Sequence, residues 1–100
     1  MTHRLPVDPE ELARLCSQHH VQRLSLFGSV LTGKDRPDSD VDLLVEFQAG
    51  REPGLLALAT LEGELSRLLG GRRVDLRTPR DLSRYFRDDV LSAAEVQFAR

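Results

Sequence analysis

The chain has 100 residues, 40% of them apolar and 30% charged, with a net charge of −2 and an isoelectric point near 5.9. That length suits one domain with a single core, and the slight acidic balance excludes a general nucleic-acid-binding footprint. One cysteine, Cys16, excludes an intramolecular disulfide and a multi-cysteine zinc site. In chain order, Asp8-Pro9-Glu10-Glu11 reads as a helix start: Asp8 as N-cap, Pro9 in the first turn and Glu11 reaching back. Leu12, Leu15, Cys16 and His19 then recur at helical spacing to about residue 20. His19 and His20 are adjacent on that helix and face different ways, so they do not read as a metal site. Residues 21–27 form a strand with Leu24 and Leu26 on its core face. Gly28-Ser29 turns the chain into a short helix over residues 29–33, and a loop of Gly, Asp, Arg, Pro and Ser runs to residue 39.

Residues 40–47 are a second strand, nearly continuous in apolar character after its two acids, and residues 49–54 a turn. A helix over residues 55–69 carries Leu58, Leu61, Leu65 and Leu68 on one face and stops at Gly70-Gly71. Residues 72–77 are a third strand, with Val74 and Leu76 toward the core and Arg73, Asp75 and Arg77 on the opposite face. Thr78-Pro79-Arg80-Asp81 starts another helix by the capping logic of residue 8. It continues, with a break, to about residue 94, and residues 95–98 are an edge strand or a frayed tail. The expected fold class is α/β (α+β), order αβαβαβα: a small mixed sheet with helices packed on it, in a single domain over residues 1–100. No run approaches the roughly 18 apolar residues of a membrane span, and the N-terminus lacks a signal-type apolar stretch. A cytoplasmic protein with no membrane association is expected.

The chemistry concentrates in residues 26–47. Asp40 and Asp42 stand two apart on a strand, so both project to one face, roughly 6.5–7 Å apart, while Val41, Leu43, Val45 and Phe47 project to the other. Like charges so placed call for a cation or a proton between them, and an all-oxygen site suits Mg²⁺. Gly28 and Ser29 sit where a strand becomes a helix, where free backbone N–H groups hold an anion such as phosphate. If the third strand lies beside the second, Asp75 joins Asp40 and Asp42 around one or two metal ions. One ion would serve the triphosphate and its leaving pyrophosphate, the other the attacking hydroxyl.

Gly28-Ser29, ten residues, then Asp40-Val41-Asp42, flanked by Phe27 and Leu43, resembles the signature of the DNA polymerase β-like nucleotidyltransferase superfamily. More narrowly, Leu26-Phe-Gly-Ser, Arg36-Pro-Asp-Ser-Asp-Val-Asp-Leu-Leu-Val-Glu-Phe47 and Gly71-Arg-Arg-Val-Asp-Leu76 resemble the minimal nucleotidyltransferases (MNT). The likeness extends to Thr78-Pro, Leu82-Ser and Tyr85-Phe-Arg-Asp, and so covers nearly the whole chain. It implies the DNA polymerase β-like fold and a place beside a HEPN-domain RNase toxin, as the antitoxin of a toxin–antitoxin pair. It further implies transfer of AMP from ATP to a tyrosine of that toxin. By matching position, Gly28 and Ser29 would hold the ATP phosphates, and Asp40 and Asp42 the Mg²⁺ ions. Asp75 would bind one ion and help activate the acceptor hydroxyl. Many family members carry an arginine shortly after the Gly-Ser. This chain has Val30-Leu31-Thr32 there, which leaves Lys34 or Arg36 to supply the phosphate contact.

Larger transferases of this kind grip base or acceptor with a second domain, for which this length leaves no room. The acceptor is therefore expected to come to an open site, with residues 55–69 and 82–98 as candidate contacts. Two other readings compete: a non-catalytic antitoxin that neutralises its partner by binding, and nucleotidyl transfer to a small molecule. Leucine-rich helices on a small fold also suit a homodimer or a heteromer, and periodicity does not separate core from interface.

Overall fold

The helix at the start of the chain is built as its capping residues dictate. In the structure, a computed structural model that describes residues 5–28, 40–82 and 87–100, helix α1 spans Pro9–Gln18. The Asp8 carboxylate accepts the Glu10 N–H at 2.9 Å, satisfying one of the donors that a first turn leaves unpaired. The helix stops short of residue 20 because His20 takes a left-handed backbone, φ 60°, which turns the chain into the sheet. Replacing Asp8 by alanine should cost about 1 kcal/mol and lower the melting temperature by roughly 4–8 °C. A thermal melt followed by circular dichroism checks this; an unchanged melt would show that the cap contributes nothing.

Strand β1 (Val21–Phe27) runs antiparallel to β2 (Val41–Phe47), with Leu24 opposite Val45 and Leu26 opposite Leu43. A bulge between Val21 and Arg23 returns Val21 to the core face opposite Phe47. Strand β3 (Val74–Arg77) lies parallel to β2 on its other side, reached through helix α2 (Leu55–Leu68). Strand β4 (Glu95–Ala99) pairs antiparallel with the free side of β1, giving the order β3-β2-β1-β4. The small mixed sheet is as expected, and the terminal segment adds a strand to the expected order. Phe98 sits opposite Leu24 and packs against the core, so residues 95–99 are anchored and do not fray.

Helix α2 matches its leucine pattern. Leu61 and Leu65 are buried, and Leu58 and Leu68 pack against the core from its margin. The helix expected from residue 78 is a single 3₁₀ turn over Pro79–Asp81. It is closed by the Thr78 N–H and hydroxyl, which donate to Asp81 Oδ2 at 3.0 and 3.2 Å. Leu82 returns to extended backbone and ends that turn, and helix α3 (Arg87–Ala93) follows separately.

The two sheet faces differ in kind. Leu12, Leu15 and Cys16 of α1 and Leu61 and Leu65 of α2 close with Leu24, Leu26, Val41, Leu43, Val45, Val74 and Leu76 into one core. Cys16 is fully buried there and its thiol is pushed up to about 12 by desolvation, so it stays protonated and inert as a nucleophile. Alternation sends Ser25, Phe27, Asp42, Leu44, Asp75 and Arg77 to the other face.

Candidate active site

The second strand opens on the residues that sequence spacing singles out. Val41, Leu43 and Val45 are buried, which fixes the strand's rotation and forces Asp42 onto the opposite face, where it is half-buried. Asp40 precedes the first paired residue of β2 and is exposed. The parallel pairing of β2 with β3 then decides the third acid's place. Val41 is opposite Val74, Asp42 opposite Asp75 and Leu43 opposite Leu76, so the same register that stacks the valines and leucines in the core aligns the two carboxylates outside it. Their strands are about 4.8 Å apart. The Val41 N–H donates to the Arg73 carbonyl at 2.9 Å and pins the register at its first rung.

On the other side of Asp42 lies β1. Phe27 is its cross-strand partner, and Gly28 follows with a left-handed φ of 81°. A methyl group built on Gly28 would run into the Asp42 carboxylate. Glycine is thus required twice over, for the backbone conformation and for the close approach of the acid. Gly28, Asp42 and Asp75 consequently form a row across three strands. Ser29, Lys34 and Arg36, the other expected phosphate contacts, and the expected helix at residues 29–33 lie outside the described residues.

The expected cluster of three acids is only partly assembled. Asp42 and Asp75 are brought side by side, but among the described residues no three acidic, histidine or cysteine side chains gather into a group that could hold a metal ion. Two reasons are visible. Asp40 lies just before the paired part of the strand, where alternation does not dictate its direction. Asp75 is engaged elsewhere, its Oδ2 accepting from Arg77 Nε at 3.3 Å. The donor chemistry still fits a hard divalent cation: carboxylate oxygens only, two of them register neighbours, and one held against a glycine with no side chain in the way.

Sequence reasoning did not find what braces Asp75. Strand β3 is an edge strand of four residues, and side chains of α2 satisfy its outer backbone groups. Glu62 Oε2 accepts the Leu76 N–H at 3.2 Å, and the Ser66 hydroxyl donates to the Arg72 carbonyl at 2.6 Å. In the sequence these are two polar positions on a leucine-rich helix, and nothing local shows which strand edge they meet.

The nucleotidyltransferase domain family matches the chain over residues 10–96. The chain belongs to the nucleotidyltransferase domain family. This nucleotidyltransferase is 38% identical over 77 residues to a candidate protein adenylyltransferase of Methanocaldococcus jannaschii, an alignment covering 77% of this chain and 80% of that one. Among solved structures it is similar to a candidate minimal nucleotidyltransferase, with 44% identity and a TM-score of 0.70 over 86% of this chain and 85% of that one. The fold is also that of the MNT antitoxin in complex with a tri-AMPylated HEPN toxin of Shewanella oneidensis. That match has a TM-score of 0.63 at 20% identity over 92% of this chain and 70% of that one. The likeness to minimal nucleotidyltransferases seen in residues 26–47 and 71–76 therefore holds across the chain. No described helix is long and apolar enough to cross a membrane.

Proposed function

We propose that this nucleotidyltransferase transfers AMP from ATP to a tyrosine hydroxyl of a partner HEPN-domain RNase toxin, and acts as that toxin's antitoxin. The observation that carries the reading is the register pairing of Asp42 with Asp75 against Gly28. The kinship with a candidate protein adenylyltransferase supports a protein as the acceptor. An AMPylated HEPN toxin held by a protein of the same fold supports the partner class. Leu55 and Leu56, in the first turn of α2, are 85% and 87% exposed and suit a contact with such a partner.

In this reading Asp40, Asp42 and Asp75 hold Mg²⁺, and Gly28, Ser29 and Arg36 hold the ATP phosphates. Bound Mg²⁺ neutralises triphosphate charge and acidifies the acceptor hydroxyl. Asp75 accepts the proton as the hydroxyl oxygen attacks the α-phosphorus; the α–β anhydride bond breaks and pyrophosphate departs. Gly28 keeps the Asp42 carboxylate in place by leaving it room, and the core behind both strands fixes the spacing.

The test mixes the protein with its partner toxin, with and without ATP and Mg²⁺, and follows both toxin mass and RNase activity. Addition of AMP to a toxin tyrosine, with silencing that requires ATP, is the expected result. Silencing that proceeds equally without nucleotide, with no change in toxin mass, would overturn transfer in favour of occlusion by binding. Modification of a small molecule by the enzyme alone would point to the remaining alternative.

A further inference from the structure

The acid pair is accompanied by a cation. Asp75 and Arg77 are two apart on β3, so both project from the non-core face, and the arginine folds back along the strand to place Nε 3.3 Å from Asp75 Oδ2. Both side chains are partly exposed, at 35% for Asp75 and 48% for Arg77. The cross-strand neighbour of Arg77 is Leu44, which is buried and offers no charge. The next acid along β2, Glu46, is paired with Arg23 at 3.7 Å. The guanidinium is therefore directed to the carboxylate that the proposed reaction needs.

We infer that Arg77 is a positioning residue that occupies Asp75 in the empty enzyme and passes to the triphosphate when a divalent cation takes Asp75. The inference rests on the reading of Asp42 and Asp75 as metal ligands. The guanidinium holds one oxygen of Asp75 and repels a divalent cation that approaches the carboxylate, so a metal ion arriving alone binds against the arginine. A nucleotide changes that balance. Arginine has five N–H donors in a rigid fork, of which this contact uses one, and phosphate oxygens are its preferred partners. As the triphosphate draws the guanidinium away, Asp75 is released to the metal. Metal and nucleotide then bind with positive coupling, and by linkage each tightens the other by the same factor.

The test is titration with Mn²⁺, followed by the loss of the free-ion electron paramagnetic resonance signal, with and without a non-hydrolysable ATP analogue. It is run on the wild type, Arg77→Gln, Arg77→Lys and Asp75→Asn. With no nucleotide, Arg77→Gln should bind Mn²⁺ tighter than wild type at low salt, by up to about fivefold, the upper end of what an exposed ion pair gives. The analogue should tighten Mn²⁺ less in Arg77→Gln than in wild type, and Arg77→Lys should fall between. The difference should shrink at high salt, which a change in packing would not do. Equal or weaker Mn²⁺ binding by Arg77→Gln, including no binding by either protein, overturns the inference. If Asp75→Asn binds Mn²⁺ as wild type does, with and without the analogue, the ligand reading falls and takes the inference with it. If Asp75→Asn weakens binding while Arg77→Gln leaves it unchanged, the ligand reading stands and only the role of Arg77 falls.

Discussion

Asp42→Asn should keep its fold and lose adenylyl transfer by about 10³-fold or more, a barrier increase of roughly 4 kcal/mol. The size follows from what the carboxylate is asked to do. An amide oxygen carries no net charge, so it binds a hard divalent cation weakly and no longer offsets the positive charge gathered around the triphosphate. The fold should hold, because Asp42 lies on the non-core face and the substitution leaves Val41 and Leu43, which seat the strand in the core, unchanged. The variant should therefore melt within a few degrees of wild type. Transfer of label from α-labelled ATP to the partner toxin measures the rate. Wild-type transfer by a folded Asp42→Asn protein would remove Asp42 from the machinery altogether.

Gly28→Ala should do harm in both respects, lowering stability by about 1–3 kcal/mol and transfer by about 10²-fold. The backbone at residue 28 has φ 81°, a region that alanine enters only with strain, and the new methyl group would meet the Asp42 carboxylate. One of the two must move. If the carboxylate moves, the proposed metal site loses Asp42; if the backbone at residue 28 moves, the phosphate contact proposed for Gly28 moves with it. Gly50→Ala is the matched control. Gly50 has φ 77°, but a methyl group there would have nothing within 4 Å. It should show the conformational cost of about 1 kcal/mol and no loss of transfer. Equal losses of transfer at both positions would mean that the collision with Asp42 has no functional weight.

Much of this arrangement was legible because it rests on short-range periodicity. The Asp8 cap, the two-residue alternation of 41–47 and the leucine spacing of 55–69 each involve residues within a few positions of one another, and each gives the element observed. What the sequence left open were relations between distant segments. Whether β3 lies beside β2, and with Asp75 rather than a neighbour opposite Asp42, depends on how Val74 and Leu76 seat against Val41 and Leu43. That is a packing outcome with no local signature. The same holds for residues 95–99, whose strand exists because β1 has a free edge and Phe98 a place in the core. A three-acid group requires Asp40 to obey an alternation that starts one residue later and Asp75 to be unengaged, and neither condition has a local signature. An ion pair between residues two apart on one strand is easily written from sequence, but its partner choice depends on what else faces that strand. Here that is a buried leucine.

The carboxylates and the core share the same few residues of backbone. Val41, Leu43, Val74 and Leu76 fill one side of β2 and β3, while Asp42 and Asp75 alternate with them on the other. The site thus has no scaffold separate from the fold's own interior. A substitution that rearranges the packing would shift the acids with it, so neutral drift at these positions is confined to side chains of similar volume. In the proposed reading, catalytic ability and foldability are therefore inherited together, through the same few residues of β2 and β3.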